Sequence, residues 1–150
     1  MYLKTKGKPS KVAIKICKDA LKFYGRQLLG DNLYHRVSID LFFDKDLIKS
    51  NVYAYCDWED SNYKAKEFTI AVDPTLGKRS MLIAIAHEMV HVKQYAKGEL
   101  KDYMRNNKSK WKSEIIDPDQ LDYWEYPWEI EAHGREKGLY VKFMEYTRSK

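Results

Sequence analysis

At 150 residues, with 44% apolar and 33% charged side chains, the chain is long enough to bury a core and too apolar to be disordered. The formal charge of +5 and pI near 9.0 allow an anionic partner without demanding one. Two cysteines, Cys17 and Cys56, form neither a disulfide framework nor a metal-spaced pair; they read as core residues in a reducing interior, the cytoplasm or, for a viral chain, the host cytoplasm.

One domain over residues 1–150 is the simplest organisation. Met1 to Ser10 carries Lys4, Lys6 and Lys8 with no apolar stretch behind them, which is unlike a signal peptide. Ser10 can cap a helix running to about Leu29, with Val12, Ile16, Ala20, Phe23 and Leu28 near helical spacing, and Gly30-Asp31 ends it. Val37, Ile39, Leu41 and Phe43 alternate with polar residues as a half-buried strand, broken only by Phe42. Asn51 to Trp58 reads as extended, with Val52, Ala54 and Cys56 on one face and Tyr53, Tyr55 and Asp57 on the other. After a polar turn, Glu59 to Asn62, a third strand places Phe68, Ile70 and Val72 inward and stops at Asp73-Pro74.

A helix follows from about Lys78 to Lys97, with Gly98 as a left-handed stop. Its apolar run from Met81 to Ala86 is far too short to span a bilayer, so no membrane role is expected. Asp102 to Asp119 shows no clear periodicity and reads as a functional loop or a partly mobile one, in which Trp111 argues against full disorder. Pro127 suits the first turn of a last helix reaching about Tyr146, with Trp128, Ala132, Leu139, Val141, Phe143 and Met144 apolar and Gly134 and Gly138 as weak points. Helix, three strands, helix, loop and helix make an α+β arrangement: a small three-stranded sheet, antiparallel or mixed, packed on helices.

The most informative residues are His87-Glu88-Met89-Val90-His91, an H-E-x-x-H string on the second helix. Positions four apart share a helix face, so both imidazoles can converge on one metal while Glu88 stands beside them as a general base. The apolar run leading into the string carries the histidines toward the interior. A hydrolytic zinc takes a third protein ligand, and the last helix offers Glu129, Glu131 and His133. Glu129 and His133 share a face, whereas Glu131 points about 200° away and reads as a surface ion-pair partner. His133 reads as a partly exposed imidazole before a ligand, and His35 as structural or exposed.

The H-E-x-x-H string followed by Glu129-Ile130-Glu131-Ala132 resembles the gluzincin branch of the zincin metallopeptidases, compact forms of which occur in bacterial and phage genomes. The resemblance covers the second and last helices, and the strands only in their order. It implies a zincin-like fold and Zn2+ held by His87, His91 and Glu129, with Glu88 as the base that activates water against a peptide carbonyl. His133 is a departure, because many members carry there an Asp that orients a zinc-bound histidine. For the oxyanion the candidates are His133, Tyr126, Tyr123 and Arg135.

Gln94 falls two turns after His87 and could line the cleft. Trp124, Tyr126, Pro127 and Trp128 could wall a substrate groove, with packing under a loop the commoner arrangement. The tyrosine excess suits a shallow, partly polar cleft or an interaction surface, with half-exposed core packing accounting for most tyrosines. The implied activity is that of a zinc metallopeptidase acting on a protein or peptide. The alternative is a zincin-fold metal-binding module that contacts nucleic acid or a protein partner without catalysis, through lysines of the first helix and of Lys97 to Lys112, where Lys108, Lys110, Trp111 and Lys112 interleave charge and ring. No recognition motif accompanies those charges, and a solvated face accounts for them more simply. An intact Glu88 favours the enzyme, and a third ligand that is not histidine separates the chain from SprT-like proteases that act near DNA.

Overall fold

The computed structural model describes residues 1–7, 9–60, 64–103 and 107–150; Lys8, the end of the predicted turn at Ser61 and Asn62, and positions 104–106 of the predicted loop fall outside them. Strand β1 (Tyr2–Lys6) opens the fold and pairs in parallel with β2 (Ser38–Phe43), the two joined by helix α1 (Lys11–Tyr34). β1 was not expected. It is an edge strand with lysines on its outer face and Leu3 packed on the core, too little apolar alternation to stand out.

Ser10 caps α1 as predicted, its Oγ accepting from the Ala13 amide at 3.1 Å. The helix does not end at Leu29. Gly30 breaks its geometry at φ 76°, and one more turn follows, which folds the ring of Tyr34 against Gly25. A side chain at Gly25 would meet that ring at 3.2 Å. His35 lies exposed at the cap of this turn.

The sheet has four strands, not three, in the order β1-β2-β4-β3, with β4 (Glu67–Val72) parallel to β2 and β3 (Ala54–Trp58) antiparallel to β4 at the far edge. The extended stretch predicted from Asn51 begins only at Ala54. Leu47–Ser50 form a 3-10 turn that ends on Asn51 in left-handed geometry, at φ 57°. Asp73, buried at the end of β4, ties this turn down by accepting from the Ile48 amide at 2.8 Å, while its other oxygen accepts from the Thr75 amide and hydroxyl at 2.8 and 2.6 Å and holds the chain that leaves the strand.

Helix α2 (Lys78–Ala96) packs between α1 and α3 (Pro127–Arg148) and against β3 and β4. It closes as predicted: Gly98, at φ 73°, donates to the Tyr95 carbonyl at 3.1 Å, and Glu99 donates to that of Gln94 at 2.8 Å. Met81, Leu82, Ile85, Met89 and Val90 enter one core with Leu21, Tyr24, Ile39, Leu41, Ile70 and Phe143. Ala84, His87, His91 and Tyr95, three or four residues apart, form the half-buried stripe that this packing leaves facing a cleft.

The predicted loop from Asp102 to Asp119 is instead a second, antiparallel sheet of β5 (Leu100–Tyr103), β6 (Lys108–Trp111) and β7 (Glu114–Ile116), continued by a 3-10 turn at Pro118–Gln120. Polar contacts hold it where apolar alternation is lacking. Asp102 accepts from Ser109 Oγ at 2.9 Å and from the Tyr95 phenol at 3.1 Å, which pins the sheet to the end of α2. Lys108 and Lys110 lie on β6 and Lys112 in its hairpin turn. With three helices and two small sheets among the described residues, the structure is mixed α/β, in keeping with the α+β class. No helix among them is long and apolar enough to cross a membrane.

Candidate metal centre

His87 and His91 project from successive turns of α2, and Glu129 reaches them from the first turn of α3. His91 Nε2 lies 3.0 Å and His87 Nε2 3.1 Å from the two Glu129 carboxylate oxygens, and the two Nε2 atoms are 3.2 Å apart. A tetrahedral ion with bonds of about 2.0–2.1 Å separates its donor atoms by about 3.3 Å, so the spacing fits one metal ion.

The outer ring nitrogens strengthen this fit. His87 Nδ1 donates to Glu136 Oε2 at 2.9 Å, and His91 Nδ1 donates to Gln94 Oε1 at 2.8 Å. The Gln94 amide cannot be turned round, because its Nε2 already donates to the Trp128 carbonyl and to Glu131 Oε1, each at 2.9 Å. With both Nδ1 positions holding hydrogens, two Nε2 lone pairs and a carboxylate converge with no donor among them. A cation satisfies such a site. His87, His91 and Glu129 therefore form a group able to hold a metal ion.

Without one, protons take its place. Burial opposes charging of His87, but its hydrogen bonds to Glu129 and Glu136 and the charges of Glu88 and Glu129 outweigh burial and raise it to about 9. Burial likewise opposes charging of His91, and Glu129, Glu88 and Gln94 raise it above the ordinary value. Burial would raise Glu129, yet its bonds from His87, His91 and Tyr123 hold it well below the usual carboxylate range. Glu88, only 8% exposed, is pushed up by burial against the opposing pull of His91 and His87.

Glu136 was missed from the sequence and is the chief correction to the site. The position four residues after Glu129 holds His133, and the carboxylate that orients His87 comes instead from one turn further on. Glu129, His133 and Glu136 lie at i, i+4 and i+7 on one face of α3, a periodic signal that the sequence did carry. His133 is bracketed by Glu136 Oε1 at 3.3 Å and the Tyr123 hydroxyl at 3.1 Å, and stacks edge-on against His87. It also offers, with His87 and Glu136, a second set of donor atoms within 4.8 Å of one another.

Gln94 does not line the cleft. It is fully buried under His91, in a chain that runs through Glu131 to Lys93, whose ammonium lies 2.6 Å from Glu131 and 2.8 Å from Glu99. Glu131 thus is an ion-pair partner, though within the α2–α3 interface and not at the surface; it also meets Arg135 at 3.1 Å. Of the four oxyanion candidates, Tyr123 and His133 face the site. Tyr126 donates to the Pro118 carbonyl and Arg135 is held by Glu131, both turned elsewhere. The Tyr123 hydroxyl donates to Glu129 Oε2 at 2.7 Å, and burial with that carboxylate keeps the phenol protonated.

Two clefts meet at His87, Glu88 and Tyr123. One, of about 880 Å³, is lined by Asn51, Tyr53, Ala84, Trp124, His133 and Glu136, the other, of about 320 Å³, by Tyr55, Cys56, His91, Tyr95, Trp128 and Glu129; Ala54 borders both. Trp124 and Trp128 thus wall the groove, while Tyr126 stacks on Trp128 and Pro127 begins α3. Tyr53, Tyr55, Tyr95 and Tyr123 line these clefts. The cysteines form no disulfide, and burial disfavours their thiolates, pushing Cys17 up to about 12 and Cys56 well above its ordinary value. Comparison with known proteins finds no match among family models, among curated proteins or among solved structures.

Proposed function

We propose that the chain is a zinc metallopeptidase of zincin-like, gluzincin type, with His87, His91 and Glu129 as the ligands of Zn2+ and Glu88 as general base. The observation that carries this reading is the convergence of two Nε2 atoms and a carboxylate at 3.0–3.2 Å with Glu88 at the junction of two open clefts. Bound zinc supplies Lewis acidity, polarising a carbonyl and lowering the pKa of water. A purely structural site has no use for a buried carboxylate beside it. Burial, which raises Glu88 above the ordinary carboxylate value, suits a group that takes a proton from water and returns it to a leaving amine.

The edge strand supports a peptide as substrate. Asp73 donates to the Tyr53 carbonyl and Glu59 to that of Glu67, so the odd-numbered residues of β3 bond inward to β4. The amides and carbonyls of Ala54 and Cys56 then face outward along both clefts, where an extended peptide can add as a further strand. Tyr123 and His133 stand on the other side; in this reading they stabilise an oxyanion, the phenol by turning its hydrogen away from Glu129 once that carboxylate holds the metal.

The test pairs metal analysis with hydrolysis of a peptide library. Glu88→Gln keeps stoichiometric zinc and loses activity by about 10²–10⁴-fold, whereas Glu129→Ala loses both. Hydrolysis undiminished in Glu88→Gln would sink the proposal.

A further inference from the structure

Positive charge is segregated in this molecule. Residues 1–29 carry eight of the 27 lysines and arginines against one acidic residue, Asp19; their surplus of seven exceeds the chain's +5, so residues 30–150 sum to −2. The clefts at the metal centre draw all their lining from that second part. The surplus of cations thus lies apart from the metal centre.

Most of it lies on one helix. Lys11, Lys15, Lys18, Lys22 and Arg26 recur at spacings of four, three, four and four on α1, a stripe about 22 Å long. Its inner half borders a groove of about 640 Å³ between α1 and the end of α3, where Lys15, Lys22, Arg26 and Lys150 surround Phe23, Tyr34, Phe143 and Tyr146. Asp19 is the one carboxylate side chain in the lining, and it is neutralised by Lys15 at 2.8 Å. Cation and ring are interleaved: Arg26 lies 4.3 Å from the Tyr34 ring centre, and Lys150 lies 4.3 Å from that of Tyr146, which is 44% exposed. Phe23 backs Tyr146 at 5.1 Å, tilted by 31°.

We infer that this groove binds single-stranded nucleic acid, the cations taking the phosphates and Tyr146, supported by Phe23, offering a face for a base. Charge complementarity fixes the partner as a polyanion, and the aromatic floor favours one with exposed bases over a duplex whose bases are stacked away. An anionic membrane fits less well. A membrane-surface helix turns its apolar face to lipid, and here Cys17, Leu21, Tyr24 and Leu28 are spent on the core. The inference does not depend on the metal centre being catalytic.

The experiment is fluorescence anisotropy of a labelled, mixed-sequence single-stranded DNA 20-mer with the full chain. Three to four phosphate contacts give a slope of log affinity against log salt of about −2 to −3, a loss of roughly 15–60-fold between 50 and 200 mM salt. Lys15→Glu/Lys22→Glu/Arg26→Glu abolishes binding, and Tyr146→Ala weakens it about fivefold or more without changing the slope. These side chains are exposed, and circular dichroism checks that the variants stay folded. Lys108→Glu/Lys110→Glu/Lys112→Glu, on the second sheet, leaves affinity within about twofold. The inference is overturned by binding that ignores salt, or by loss confined to the second-sheet variant. Equal affinity for a matched duplex with no effect of Tyr146→Ala also overturns it, as does capture by phosphatidylserine vesicles without oligonucleotide binding.

Discussion

Removing Glu136 tests the feature that most distinguishes this centre, the carboxylate that reaches His87 from a turn beyond the expected position. Its Oε2 accepts from His87 Nδ1 at 2.9 Å, and its side chain is 23% exposed. A hydrogen bond to a charged group contributes about 1.5–3 kcal/mol and a neutral one about half of that. Glu136→Gln, which can keep the bond but not the charge, is therefore expected to weaken metal binding by roughly 5–10-fold, and Glu136→Ala by about 10–100-fold. Competition against a chromophoric zinc chelator reads both, and it belongs near pH 9. There His87, raised to about 9 in the metal-free protein, has lost much of its proton; at pH 7 the variants' weaker proton competition offsets part of the loss. Affinity of Glu136→Ala within twofold of the parent protein, with the fold intact, would refute the assigned role.

Because His87 is raised to about 9 and His91 is also raised, metal uptake at pH 7 is expected to release the His87 proton and a further share from His91, measurable by calorimetry in buffers of different ionisation enthalpy; release near zero contradicts the proton-filled site. The same shift makes metal-free stability pH-dependent. The contribution of His87 is full below its unfolded value near 6.5 and is lost as pH rises through about 9, a slope in denaturant midpoint that disappears once metal occupies the site. Gln94→Leu leaves His91 Nδ1, the Trp128 carbonyl and Glu131 short of a partner inside the α2–α3 interface, and is expected to cost about 3 kcal/mol, seen as a fall of roughly 6–12 °C in Tm; an unchanged Tm excludes the network as a stabilising element. Asp73→Ala removes the hydrogen bond to the Leu47–Ser50 turn and two that hold the Thr75 turn after β4, and is expected to destabilise by about 2–4 kcal/mol in urea titration, while a loss below about 0.5 kcal/mol shows both turns to be held otherwise.

Features governed by a few neighbouring residues could be read along the chain. Ser10 as a cap, Gly98 as a stop and Pro127 at the first turn of α3 are local, because each satisfies or spares backbone groups within one helical turn. The H-E-x-x-H string belongs with them, since helical spacing alone puts His87 and His91 on one face. Strand β1 and the second sheet escaped notice because little apolar alternation marks them. One is an edge strand, and the other is held through Asp102, Ser109 and Tyr95, contacts that no periodicity announces.

The sequence by itself determined the chemistry on offer: two imidazoles and a base on one helix, a carboxylate at the start of another, and a surplus of cations in the first 29 residues. Only the tertiary structure decided how those groups are used. Packing of α2 against α3 brought Glu129 to the two Nε2 atoms, made the Glu136 carboxylate the hydrogen-bond partner of His87 Nδ1, buried Gln94 where the sequence suggested a cleft, and set Glu131 in the helix interface where it suggested a surface. The physical reason is one of range. Helix spacing aligns residues on a single element, but which faces of two helices meet is settled by how all the apolar side chains pack at once.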